Sequence, residues 1–220
     1  MEEQKRIKRA VSIRELKSKK FKTLDLSPKF KEMLGVPEDN GVWFVWGNSG
    51  HGKSRFLMLL ANELARFGKV VYNTLEEGAR LSMQKNVNEA GIDENSFGAN
   101  ITILNREPME ELKVRLRRKK HPRIVFIDSF QYAGLSRRQY IELKEEFTDV
   151  LFIFNSHAEG KEPKGEVAKF VRYDSDIKVR VEGFKAFPLS RLGGNKSFTI
   201  WEEGASEYWM DITNEKKQIL

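Results

Sequence analysis

Residues 43–56 read WFVWGNSGHGKSRF. Four bulky apolar residues run straight into a loop with three glycines, and a lysine–serine pair then opens an apolar-faced segment. Gly47, Asn48, Ser49, Gly50, His51, Gly52, Lys53 and Ser54 satisfy the spacing G-x-x-x-x-G-K-[ST], with Arg55 next in line. Few folds accommodate this order. A buried strand has to stop, the backbone has to turn without interfering Cβ atoms, and a helix has to begin at once. Such a loop lets successive backbone N–H groups curl round a phosphate, and the helix N-terminus adds partial positive charge. The stretch 47–55 is therefore expected to hold a nucleoside triphosphate, ATP. Lys53 would neutralise the β- and γ-phosphates, and the Ser54 hydroxyl would ligate Mg²⁺.

The rest of the chain repeats the strand–helix alternation that this loop needs. Strands are expected at 42–46, 69–74, 101–104, 123–128 and 149–155, with helices at 54–67, 79–90, 108–120 and 136–146. A short helix is expected over SPKFKEMLG, with Ser27 as N-cap, Pro28 in its first turn and Gly35 after its end. Continuous apolar strands alternating with helices imply a parallel sheet covered on both faces. After about residue 176 the pattern reads as period-two strands, DIKVRV, SFTIW and EYWMDI, which would extend that sheet antiparallel at one edge. The expected organisation is a basic arm with a short helix over 1–40, then an ATPase domain over 41–220.

Charge is placed unevenly. Residues 1–31 carry 11 Lys+Arg against 4 Asp+Glu, so the whole formal excess of +7 sits there. A basic arm before a neutral domain suits an electrostatic grip on a polyanion, or else a solubilising tail. The absence of cysteine excludes disulfides and thiolate metal sites, and three scattered histidines do not make a zinc cluster. With no long apolar run the chain is expected to be cytoplasmic and off the membrane.

Two further acidic positions bear on chemistry. RIVFIDSF carries four apolar residues into Asp128, the form of a Walker B strand, which makes Asp128 the expected Mg²⁺ carboxylate. VVYNTLEEG ends the second strand with Glu76 and Glu77, either of which would reach the γ-phosphate to position an attacking water.

With these motifs in order, residues 41–203 resemble the RecA-like ATPase core, and within it the RadA/Sms- and DnaB-type branch, as a minimal phage or mobile-element form. The resemblance implies a sheet order 3-2-4-5-1. It aligns Glu76 rather than Glu77 with the catalytic glutamate. NSHAEGK is similar to the segment that would place His157 at the tip of the fifth strand, as a sensor of the γ-phosphate. LSRLGGNKSF looks like the turn that supplies an arginine finger to a neighbouring subunit, matching Arg191. The family's lysine position is Leu189 here, with Lys185 or Lys196 as substitutes. Self-association as a ring or filament follows from that implication.

In RecA-like proteins the loops after the Walker B and sensor strands touch DNA. Here those stretches are 129–139 and 158–172, carrying Arg137, Arg138, Lys161, Lys164, Lys169 and Arg172, with Phe130 and Tyr132 as stacking groups. The run KVRLRRKKHPR is the expected solvated face of a helix end. Two functions stay open at this level. One is an oligomeric Mg²⁺-ATPase acting on single-stranded DNA in recombination or replication, alone or with a protein partner of those processes. The other is a nucleotide-gated adaptor, of the helicase-loader or KaiC-like regulatory kind. The strand-rich tail argues against a loader's helical lid.

Overall fold

The computed structural model describes residues 9–218. The first eight residues of the expected arm and the last two of the chain lie outside them. Five parallel strands form the centre of the sheet: β1 (Gly41–Gly47), β2 (Val70–Thr74), β3 (Ile101–Asn105), β4 (Ile124–Asp128) and β5 (Leu151–Glu159). β6 (Glu162–Pro163) folds back on the end of β5. β7 (Ile177–Glu182) joins β1 in parallel, and β8 (Lys185–Ser190) and β9 (Phe198–Thr199) follow antiparallel. The order is β3-β2-β4-β5-β1-β7-β8-β9. The fold class expected from the sequence is thus observed: a mostly parallel α/β sheet in the order 3-2-4-5-1 with antiparallel C-terminal strands.

Nine helices are described: α1 (Ile13–Ser18), α2 (Pro28–Leu34), α3 (Lys53–Leu64), α4 (Leu81–Glu89), α5 (Met109–Leu116), α6 (Phe130–Ala133), α7 (Arg137–Glu146), α8 (Glu166–Asp174) and α9 (Glu202–Gln218). They cover both faces because β1 alternates between two cores. Trp43 and Val45 pack with α2, α3 and α4, whereas Val42, Phe44 and Trp46 pack with α5, α7 and α8. From α3 alone, Phe56, Leu57, Leu60 and Leu64 are essentially fully buried. That is on the order of 10 kcal/mol of gross hydrophobic stabilisation, before ordering entropy is subtracted.

The segment before β1 divides in two. Leu24, Leu26, Phe30, Met33 and Leu34 enter the α2–α3 core. Residues 9–22 remain exposed, and α1 buries no residue although Ser12 and Glu15 close a capping box on it.

Register is what builds a site. Gly47 stands beside His157 in the β1–β5 pair, and Thr74 stands beside Asp128 in the β2–β4 pair. The carboxyl ends of four strands therefore line up along one edge of the sheet.

Two expectations need correction. EYWMDI is not a strand but part of α9. Its apolar residues at 205, 208 and 209 recur at helical spacing, and two acids in the first turn suit a helix N-terminus. The helix expected over 108–120 stops at Leu116, where four consecutive cations repel and offer no apolar face to bury.

Candidate functional site

The glycine loop leaves β1 at the aligned edge. Gly47 is required there by β7, since a Cβ on it would stand 2.1 Å from the Val181 carbonyl oxygen. Gly52 takes φ +89° as the residue before α3, a conformation that aims the first helical N–H groups into the loop. Lys53 folds back under the loop, 8% exposed, and its Nζ donates to the Asn48 carbonyl at 2.8 Å. Burial draws the Lys53 pKa below its ordinary value, while the nearby carboxylates of Asp128 and Glu76 work against that shift. A buried ammonium beside a loop of backbone N–H groups is a site for an anion.

Opposite it sits an acidic wall. Asp128 accepts from the buried Tyr72 hydroxyl through Oδ2 and from Asn155 Nδ2 through Oδ1. Burial raises its pKa first and most; the two hydrogen bonds oppose this, and Glu76 and Glu77 add to it. The Asp128–Ser129 peptide bond is cis. Its carbonyl accepts from the backbone N–H groups of Leu75 and Glu76, which ties the turn after β2 to the end of β4. Arg106, at φ +57°, donates to the carbonyls of both Glu76 and Glu77 at 3.0 Å and clamps that turn from the β3 side.

The turn sends its two acids in different directions. Glu77 accepts from Ser82 Oγ at the start of α4. Glu76 points at the tip of β5, where its Oε2 is 2.9 Å from His157 Nε2.

The donors here fit Mg²⁺. Ser54 and Asp128 present hard oxygens on one cleft, and Asn155 Oδ1 is buried there without a hydrogen-bond partner. Among the described residues no cluster of three or more His, Asp or Glu side chains could hold a metal by itself. The remaining ligands would have to be phosphate oxygens and water, as Mg²⁺ bound with a nucleotide commonly has.

His157 is also wired away from the cleft. Its backbone N–H donates to Gln131 Oε1, and Gln131 Nε2 donates to Ser156 Oγ and to the Lys164 carbonyl. The Lys164 N–H returns to the His157 carbonyl at 2.9 Å. Neither Gln131, Asn155 nor Arg106 was singled out from the sequence. Polar residues at strand ends were the available signal for Asn155; nothing local marks Arg106.

Four of the six expected DNA-facing residues sit on helices rather than on open loops. Arg137 and Arg138 open α7, Lys161 and Lys164 flank β6, and Lys169 and Arg172 lie on α8. Arg138 pairs with Glu142, Lys169 with Glu166 and Arg172 with Glu162, while Arg137 lies over the Phe170 ring at 3.8 Å. Phe130 is buried in the core and cannot stack on a base, whereas Tyr132 is 59% exposed. Lys161 and Lys164 are exposed, without an ion-pair partner among the described residues. The 113–123 run is taken up by Lys113–Glu110, Arg115–Glu107, Arg117–Glu146 and Arg123–Asp39 pairs.

Arg191 follows Ser190, which pairs with Ile177 at the end of the sheet opposite the glycine loop. It is exposed, and four residues of strand, roughly 13 Å, separate that register from Gly47. Arg191 therefore does not reach its own chain's cleft. Of the two lysines considered with it, Lys196 pairs with Glu32, while Lys185 stands at the glycine-loop end over the Trp209 ring.

No family model matches the sequence, and no curated protein does either. Solved structures do. A KaiC-like protein of Pyrococcus horikoshii superposes with a TM-score of 0.61 at 19% identity, over 81% of this chain and 94% of that one. The flagellar accessory protein FlaH of Methanocaldococcus jannaschii superposes with a TM-score of 0.60 at 16% identity, over 80% and 92%. At that identity the likeness establishes the fold, which is RecA-like. No described helix is long and apolar enough to cross a membrane.

Proposed function

We propose that this RecA-like chain is a Mg²⁺-dependent ATP hydrolase that self-associates and acts on single-stranded DNA. The observation that carries the reading is the Glu76–His157 contact on the cleft that also holds Lys53 and Asp128. The cleft has what phosphoryl transfer to water needs. The glycine loop and Lys53 bind the β- and γ-phosphates, and a Mg²⁺ held by Ser54 and Asp128 supplies charge neutralisation when bound. Glu76 orients the water and takes its proton as the water oxygen attacks the γ-phosphorus and ADP leaves. Before ATP arrives, His157 occupies Glu76. A γ-phosphate oxygen gives His157 a second acceptor, so binding frees the carboxylate for water. Gln131 then carries the state of His157 to the β5–β6 hairpin, where Lys161 and Lys164 are free to meet phosphates. The RadA/Sms- and DnaB-like motifs support this reading, and the place of Arg191 supports one in which it serves a neighbouring copy.

A second reading, a nucleotide-gated adaptor that grips a protein partner, is favoured by one observation. Four of the six cations expected at DNA are already engaged within the chain. ATP hydrolysis with and without single-stranded DNA, with Glu76→Gln as control, separates the two. Stimulation several-fold by DNA supports the first. Turnover indifferent to DNA sinks it and leaves the adaptor.

A further inference from the structure

The sheet has a second aligned edge. Gly41, Leu151, Ile124, Val70 and Ile101 are register neighbours across β1, β5, β4, β2 and β3, so five amino ends meet opposite the glycine loop. The N-terminal arm is rooted at this edge. Thr23 bridges to Glu38, and the Asp39 N–H donates to the Lys22 carbonyl at 3.1 Å, just before β1 begins. Arg123, the residue before β4, pairs with Asp39 at 3.4 Å and with Asp149 at 4.0 Å. Two acids of this end are thereby matched.

The cations around the root are not. Arg118, Lys119 and Lys120 precede β4 and Lys69 precedes β2, all exposed and without an ion-pair partner among the described residues. Lys69, Arg118 and Lys120 line one depression of about 180 Å³ past the end of α5. In the arm, Arg14, Lys17, Lys20 and Lys22 are likewise exposed and lack an ion-pair partner among the described residues. Interleaved with them are Val11, Ile13, Leu16 and Phe21, exposed by 65%, 70%, 51% and 46%. α1 closes its own capping box yet lays none of these on the body. Phe67, two residues before Lys69, adds an exposed ring.

We propose that this end of the molecule docks on an anionic lipid surface. The arm's apolar residues enter the interface, while its cations and those of the body meet the headgroups. Charge alone would suit any polyanion, and the apolar residues decide the class. A nucleic-acid backbone would leave them in water, whereas the headgroup–acyl boundary buries them. The arm's root and the body cations share one sheet edge, so both reach one plane. The 5 residues of β2, about 17 Å of strand, hold the nucleotide cleft away from that plane. The lack of a long apolar run bears on spanning a bilayer, not on lying against one.

The test is vesicle flotation without nucleotide, with phosphatidylglycerol–phosphatidylcholine vesicles set against phosphatidylcholine alone. Wild type is compared with Leu16→Ser, Phe21→Ser, Lys69→Gln and Lys120→Gln, all at exposed positions that the core does not use. Wild type should float with the anionic vesicles and not with the neutral ones, and added salt should weaken it. Each lysine variant should weaken partitioning roughly fivefold, the worth of one cation near such a surface. Each serine variant should weaken it roughly 10-fold at unchanged charge. Wild type that does not float with anionic vesicles would overturn the proposal, and so would lysine variants that match wild type. Serine variants that match wild type while the lysine variants weaken would overturn it as well, and leave a nucleic-acid backbone as the occupant.

Discussion

His157 Nε2 and Glu76 Oε2 lie 2.9 Å apart across the mouth of the cleft, each about one-third exposed. The two come from different strand ends, and the intervening β4 contributes Asp128 between them. In the absence of a γ-phosphate the acid that would direct water is therefore already spoken for.

Glu76→Gln should lower the hydrolysis rate by roughly 10²–10⁴-fold, the usual worth of a general base. ATP affinity should change little, because the proposed phosphate contacts come from Lys53 and the loop and not from Glu76. His157→Ala should lower kcat by a smaller factor and abolish any response to DNA. Single-turnover hydrolysis beside equilibrium ATP binding checks both. A Glu76→Gln variant with normal turnover removes Glu76 from the chemistry.

Arg106 holds the carbonyls of Glu76 and Glu77 without touching the cleft. Arg106→Ala should cost up to about 100-fold in kcat by misplacing Glu76, with ATP binding unchanged. Arg106→Gly should show the same catalytic loss. It should be about 1 kcal/mol more stable than the alanine variant, since only glycine is relaxed at φ +57°. Urea unfolding of the pair reads that difference.

Asp128 works against the fold. Its carboxyl titrates above the usual range because it is buried, so the folded chain holds that proton to higher pH than the unfolded chain does. Stability falls as pH rises through this window, and the penalty is complete above it. In Asp128→Asn the new amide keeps the Tyr72 hydroxyl as donor. Asn155 can turn its unpartnered Oδ1 to accept from the new amide N–H. The variant should gain about 2–4 °C in Tm per kcal/mol recovered, at neutral pH but not at acid pH below the usual carboxylate range. It should also lose Mg²⁺-dependent nucleotide binding. An unchanged Tm at neutral pH sinks the account.

What the sequence could and could not say divides along a physical line. Continuous apolar strands and the glycine loop have strong local signatures, so the central sheet and the approach of Lys53 to Asp128 were legible. Glu76 could be preferred over Glu77 only by resemblance. The structural difference between them is one of partners, Ser82 for one and His157 for the other, and those are set by chain crossings tens of residues away. Phe130 was misjudged for the same reason, because exposure after a strand end depends on what packs above it. α9 was missed because the adjacent Tyr208, Trp209 and Met210 of EYWMDI suit either period.

DNA contact has a salt signature. If the β5–β6 hairpin meets single-stranded DNA, Lys161→Ala and Lys164→Ala should each flatten the plot of log affinity against log salt by about 0.7. Arg138→Ala and Lys169→Ala should do less, since each cation starts in an ion pair within the chain. Fluorescence anisotropy with a labelled oligonucleotide over a salt series measures the slopes. Equal slopes for wild type and both lysine variants remove DNA from this face.

The Gly183 peptide is gripped from two sides. His51, inside the glycine loop, accepts its N–H at 2.9 Å through Nδ1, and Trp209 of α9 donates to its carbonyl at 3.1 Å. His51 also meets the Tyr208 ring edge to face at 5.2 Å. A glycine-rich loop is ordinarily the costliest kind of backbone to immobilise. Here part of that ordering is completed during folding, by a helix more than 150 residues downstream in the sequence. Ligand capture then begins from a rigid cradle and keeps more of its contact energy as affinity. The same arrangement makes the C-terminal helix a remote control on the loop: anything that lifts α9 returns the cradle's disorder to the bill for binding.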